Sequence, residues 1–280
     1  VLSNVIFFSI LITYLSISIS NQKDKILSGG MNFSLFHKPK TTQTSLSIFE
    51  GVFIFIISIV LFYTLGQIIG SLPILGGAGL PLAFFICFFL PSFMFMKYKN
   101  VEILKFLDFH LPSWQQVLGG ILFVIPLYAI TVLFALLIQL FVPEVADNSQ
   151  TTKLINDIKE KNGLLALFLI VAVTPGIFEE FIMRGVLFHS IKKQLKPLAA
   201  IVLTGLIFSF MHGFLRMLPL IPVGILLTWV MYRTKSIFIP MLIHTLFNST
   251  SILLPYLEKA VNKNTLNPNS NIPTDNDHLQ

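Results

Sequence analysis

Three short patterns in this 280-residue chain bring together side chains able to do chemistry. The stretch TPGIFEEFIMRGVLF, residues 174–188, carries Glu179, Glu180 and Arg184; FSFMHG carries Phe208 and His212; HTLFNS carries His244 and Asn248. All three lie in otherwise apolar sequence, where an ionisable group costs on the order of a few kcal/mol unless it is paired or hydrated. Of the 13 acids only Glu179 and Glu180 fall well inside an apolar run, with Glu50 at the edge of another. Of the six histidines only His212 and His244 do; His37, His110, His189 and His278 fall in loops, tails or near helix ends.

Helical spacing sorts these groups. Glu180 and Arg184 are four apart, so they share a face and can pair. Glu179 is rotated by about 100° from Glu180 and points elsewhere. One acid can therefore neutralise the arginine while the other keeps a free carboxylate. A purely structural Glu–Arg bridge accounts for Glu180 and Arg184 but leaves Glu179 unexplained. Phe208 lies one turn from His212, and His244 one turn from Asn248. A carboxylate and a histidine can hold and deprotonate a water, while a second histidine and an asparagine amide can donate to a developing oxyanion. The set then reads as peptide hydrolysis without a covalent intermediate. Glu179, His212 and His244 could instead bind zinc, which takes N and O ligands and acidifies bound water. No HExxH pair supports the metal, and GxSxG, Walker A and GxGxxG patterns are absent.

The elements that must position these groups are membrane helices. The chain is 54% hydrophobic and only 11% charged, where a soluble protein carries roughly a quarter charged residues. Apolar runs near the roughly 20 residues of a membrane helix recur at 48–70, 79–96, 115–142, 163–191, 198–213, 217–232 and 237–254. The alternation of a membrane barrel is absent. The expected class is all-α: a polytopic bundle of seven to eight transmembrane helices with the active site between helices of the C-terminal half. The eighth would be Val5–Ile19, which is either an extra span or part of a mis-called start, since Met31 opens an ordinary lead-in. Residues 1–47 are thus an N-terminal segment, 48–257 the transmembrane domain, and 258–280 a polar, disordered tail rich in asparagine and proline. The single Cys87 forms no intrachain disulfide and reads as a small buried hydrophobe.

The net charge of +6 does not indicate nucleic acid, because the basic residues sit in short loops. Basic clusters at 23–40, Lys97/Lys99/Lys105, Lys192/Lys193/Lys196 and Arg233/Lys235 should face the cytoplasm, leaving 71–78, 143–162 and 214–216 on the other side. Measured from those basic ends, Glu179 lies roughly 18 Å deep, His212 roughly 21 Å and His244 roughly 11 Å, compatible with one cluster. The run 163–191 would extend roughly 43 Å as a straight helix. Pro175-Gly176 is the expected place for it to break, leaving Phe178–His189 as the functional half.

In order and spacing, EEFIMR, FSFMH and HTLFN resemble the motifs of the CAAX prenyl protease and bacteriocin-processing (CPBP, or Abi) family of intramembrane proteases: EExxxR, FxxxH, then HxxxN or HxxxD. The approach YRTKSIFIPMLIH to the last motif is similar as well. The resemblance covers about 163–254. It implies Glu179 as the base that activates water beside His212, His244 and Asn248 as the oxyanion site, Glu180 and Arg184 as holders of helix geometry, and Phe208 as packing. It implies a peptide or protein substrate, prenylated or not, in a multi-pass protein of the lipid bilayer, the plasma membrane if bacterial. The family is often described as metalloprotease, yet this glutamate–histidine mechanism needs no metal, and the metal-free version is favoured with zinc as the alternative. Two other readings stand beside the protease: a proton-coupled transporter, which also uses intramembrane Glu, Arg and His, and a non-catalytic immunity-type membrane protein.

Overall fold

The computed structural model describes residues 38, 39, 41–146 and 149–266. The run Val5–Ile19, Met31 and the tail beyond Leu266 lie outside the described residues. Helices α1 (Ile48–Ser71), α2 (Pro73–Tyr98), α4 (Trp114–Gln139), α5 (Thr152–Ile191) and α7 (Phe214–Thr234) contain stretches long and apolar enough to cross a membrane, and α6 (Pro197–Phe210) and α8 (Phe238–Leu266) add shorter apolar ones. A single turn, α3 (Ile103–Phe106), lies between α2 and α4. No strand occurs among the described residues. The result is an all-helical membrane bundle whose seven apolar helices coincide with the seven runs expected from hydropathy.

Local signals explain where the helices start. Ser47 and Glu50 form a reciprocal capping box at α1, and Ser113 and Gln116 do the same at α4, each satisfying backbone donors that a helix start leaves open. Glu50 is also paired with Lys99 at 2.7 Å, tying the start of α1 to the end of α2. Lys193 Nζ donates to Ser45 Oγ, Ser236 Oγ to His110 O and Gln116 Nε2 to Thr234 O. The loops of the basic set between 97 and 235 therefore meet at one end of the bundle.

The centre is the C-terminal half of α5. Every residue from Glu180 to Ile191 is buried, polar and apolar alike, so other helices surround this segment on all sides. By contrast α4 buries only Gly120, Leu127 and Thr131 and leaves its other apolar faces to lipid. Helices α6 and α7 approach most closely where glycines meet. A side chain built on Gly224 would collide with the Gly205 carbonyl, and a Cβ on Gly205 would stand 2.5 Å from Ile225 N. Small residues allow such backbone contact in membranes, where helices associate through packing.

Two expectations are corrected. α5 does not break at Pro175-Gly176: a π-helical turn over Leu169–Val173 runs into the helix Thr174–Glu180 with Pro175 in its first turn. The wider turn tolerates the missing proline donor, and Thr174 Oγ1 bonds Leu169 O at 2.8 Å. The change of direction comes earlier, at Gly163, whose φ of 82° is readily adopted only without a side chain. Beyond it toward the N-terminus the helix turns polar. The second correction concerns the tail: α8 continues past Leu257 to Leu266, into the stretch expected to be disordered, because residues 258–266 hold good helix formers such as Glu258, Lys259 and Ala260.

Helix α6 ends at Phe210, so its 14 residues rise roughly 21 Å, short of the roughly 30 Å of a hydrocarbon core. The turn 211–213 that holds His212 is therefore at membrane depth, and Tyr63 of α1 donates to the Met211 carbonyl there at 2.7 Å. Gly224→Ala is expected to lower stability by about 1–3 kcal/mol in detergent-solubilised thermal unfolding, since backbone faces the new methyl. Gly119→Ala, which meets open space, should stay within about 0.5 kcal/mol.

Candidate active site

The second half of α5 supplies Glu179, Glu180 and Arg184, the turn after α6 supplies His212, and α8 supplies His244 and Asn248. A side chain at Gly176 would run into Thr245, whose backbone N would stand 3.0 Å from its Cβ, so this glycine lets α8 approach α5 beside the site. The Pro-Gly pair thus serves the packing of two helices.

Arg184 is fully buried and held on three sides. Its Nη1 is 2.6 Å from Glu180 Oε1, its Nε donates to Thr228 Oγ1 at 3.2 Å, and its Nη2 to Gly224 O at 3.0 Å. The guanidinium carbon also lies 4.5 Å from the centre of the Phe208 ring, a cation–π contact that gains strength away from water. Phe208 is packed against both histidines, with ring centres 4.9 Å from His212 and 5.6 Å from His244. One aromatic ring therefore touches the arginine and both imidazoles.

The hydrogen bonds fix which ring nitrogens are free. His212 Nδ1 is 3.0 Å from Phe208 O; a carbonyl only accepts, so Nδ1 carries the proton and Nε2 is bare when the ring is neutral. His244 Nδ1 is 2.8 Å from Glu180 Oε1, the oxygen that also meets Arg184. Its Nδ1 likewise donates to a carboxylate. Both Nε2 atoms face Glu179, at 3.8 Å for His212 and 4.0 Å for His244 from Oε2. That oxygen is buried and has no hydrogen-bond partner among the described residues.

The structure thus brings Glu179, Glu180, Arg184, Phe208, His212 and His244 into one cluster. Asn248 is half-buried one turn beyond His244 on α8. Three partners of this cluster carry no motif: Thr228 and Gly224, which anchor Arg184, and Tyr63, which anchors the turn of His212. The spacing of a glycine and a threonine four apart in GILLT was the available signal for the first two, since both then lie on one face of α7.

A metal fits this set poorly as folded. Ligands sharing one tetrahedral zinc at about 2.0–2.1 Å stand about 3.3 Å from each other, whereas Glu179 lies 3.8 and 4.0 Å from the two histidines. Among the described residues no three His, Cys, Asp or Glu side chains are grouped to hold a metal ion.

Residues 161–250 match the family model described as Type II CAAX prenyl endopeptidase Rce1-like. By that match, residues 161–250 are similar to the CAAX-type proteases of the CPBP family. The matched segment runs from α5 into α8 and contains all three motifs of the cluster. No curated protein and no solved structure matches the chain. The match supports a CAAX-type intramembrane endopeptidase as the general class of activity.

Arg184→Met should cost about 3–5 kcal/mol in unfolding measurements, because it strands Glu180 as a buried, uncompensated charge. Glu179→Gln removes a carboxylate oxygen without a partner, so stability should stay within about 1 kcal/mol of the parent or rise.

Proposed function

We propose that this protein hydrolyses peptide bonds of membrane-associated, lipid-modified substrates, with Glu179 and His212 activating water and His244 and Asn248 stabilising the oxyanion. The observation that carries this reading is the buried, unpartnered Glu179 Oε2 facing the Nε2 atoms of His212 and His244 across 3.8 and 4.0 Å. Two acceptors that each bond one water at about 2.8 Å stand roughly 4 Å apart, so the gap suits a shared water. Attack by that water on the scissile carbonyl delivers its proton to Glu179. As the C–N bond breaks, the proton passes to the leaving amine.

His244 serves the oxyanion only with a proton on Nε2, since its Nδ1 proton is committed to Glu180. Glu180 then orients the imidazole and stabilises its charged form, as carboxylates do in hydrolytic triads.

The substrate class is supported by a cavity of about 690 Å³ between α2, α5 and α8, walled by Phe85, Phe89, Phe178, Phe181, Met241 and Leu242. Its size lies within the roughly 300–1,000 Å³ of small-ligand sites. It flanks both helices that carry the acids and His244, and its apolar walls suit a hydrocarbon chain attached next to the scissile bond. The basic loops would place the mouth of this cavity near the cytoplasmic face.

Purified protein should cleave a farnesylated CAAX peptide, and Glu179→Gln should reduce kcat by at least about a hundredfold. Leu242→Trp, which fills the cavity, should raise KM for the farnesylated peptide and leave an unprenylated one unaffected. Chelation should leave cleavage standing; loss with recovery on added zinc would overturn the metal-free mechanism. Folded protein that cleaves neither peptide would turn the reading toward a carrier or an immunity-type protein.

A further inference from the structure

Outside this cluster, Asp108, His189 and Lys192 form a bonded group of ionisable side chains. Asp108 follows α3 with φ of 50°, the left-handed conformation that glycine or asparagine usually supplies at a helix end. The bonds there are those of such an end: Asp108 N to Lys105 O at 3.2 Å and Phe109 N to Leu104 O at 2.9 Å. An aspartate at this position is justified by what its side chain does. Oδ2 is 2.8 Å from His189 Nε2 and 3.4 Å from Lys192 Nζ. Burial opposes ionisation of Asp108, but the hydrogen bond and charge of His189, with Lys192, outweigh it and hold the carboxyl below its usual range.

His189 continues the chain inward. Its Nδ1 is 2.5 Å from the carbonyl of Arg184, the residue whose side chain holds Glu180. The backbone N–H of His189 itself goes to Val186 O. Asp108 also reaches the other side of the site: its carbonyl accepts from Ile237 N at 3.3 Å, and Ser236 Oγ bonds His110 O at 2.8 Å. Ile237 immediately precedes α8, which carries His244. A single residue is thus bonded to the end of the helix of Glu179 and Glu180 and to the start of the helix of His244.

We infer that Asp108 is a positioning residue, which through His189 and Ile237 sets the register of α5 against α8 and so the separation of Glu179 from His244. This rests on the peptidase reading of the cluster. A positional error of about 1 Å can cost up to about a hundredfold in rate, so a modest shift at this loop is expressed in turnover.

Asp108→Gly separates this role from simple folding, because glycine relieves the left-handed backbone. The expected result is a melting temperature equal to or above the parent, a kcat for farnesylated peptide reduced about tenfold, a KM within about twofold, and faster amide exchange at residues 236–243. Asp108→Asn suits the same backbone and can still bond His189, so it should restore most of kcat. Parental kcat and parental exchange in Asp108→Gly would overturn the inference, as would an Asp108→Asn no more active than the glycine variant. If the parent protein cleaves no peptide, the peptidase reading falls by itself. The exchange comparison then decides alone: faster exchange in Asp108→Gly supports positioning of α8 by Asp108, and unchanged exchange rejects it.

Discussion

Arg184 is a full positive charge with no exposure, at the centre of a membrane protein. Its state is tolerable only because Glu180, Thr228 and the Gly224 carbonyl meet its nitrogens from two helices while Phe208 covers its face from a third. Each contact demands a definite placement of its helix. α7 must lie close enough for a backbone carbonyl to reach the guanidinium, which in turn requires the glycine contact between α6 and α7. α6 must present an aromatic ring, and that ring sits one turn before His212. Satisfying one buried ion therefore settles the positions of three helices, and the two histidines follow.

Glu180 carries the same constraint to α8. One of its oxygens is shared between Arg184 and His244, so the imidazole is oriented by a group that is itself held. Glu179, next in sequence, has no such support. Both carboxylates keep one buried oxygen without a hydrogen-bond partner among the described residues, but Glu180 is held by Arg184 and His244 through its other oxygen while Glu179 faces the two Nε2 atoms, a difference that arises from a rotation of one residue along a helix. Neighbours of identical chemistry are thereby given different environments.

Much of this was legible in the sequence because it is local. The four-residue spacings of Glu180 with Arg184, Phe208 with His212, and His244 with Asn248 are statements about single helices, and the structure keeps the first two as direct contacts. The apolar runs were legible for the same reason. What was not legible depends on packing between distant segments. Pro175 looked like a break, but a preceding π-helical turn accommodates it, and the bend falls at Gly163, whose backbone angle no periodicity reveals. His189 looked like a residue near a helix end; it is buried and joined to Asp108, 81 positions away. The groups that hold Arg184 from α7 are a threonine and a backbone carbonyl, types too common to stand out by composition.

The shortness of α6 has a consequence for supply. On the proposed reading two reactants must reach one point, a water and a greasy peptide. The apolar cavity opens among residues of α2, α3 and the start of α8, toward the basic end of the bundle. The turn after α6 approaches from the other end, and roughly 9 Å of the hydrocarbon thickness has no α6 backbone beyond it. Polar solvent therefore has its shorter road to His212 from the side opposite the cavity. On that reading water and peptide would approach from opposite ends of the bundle, so a bound hydrocarbon chain need not block the molecule that cuts it.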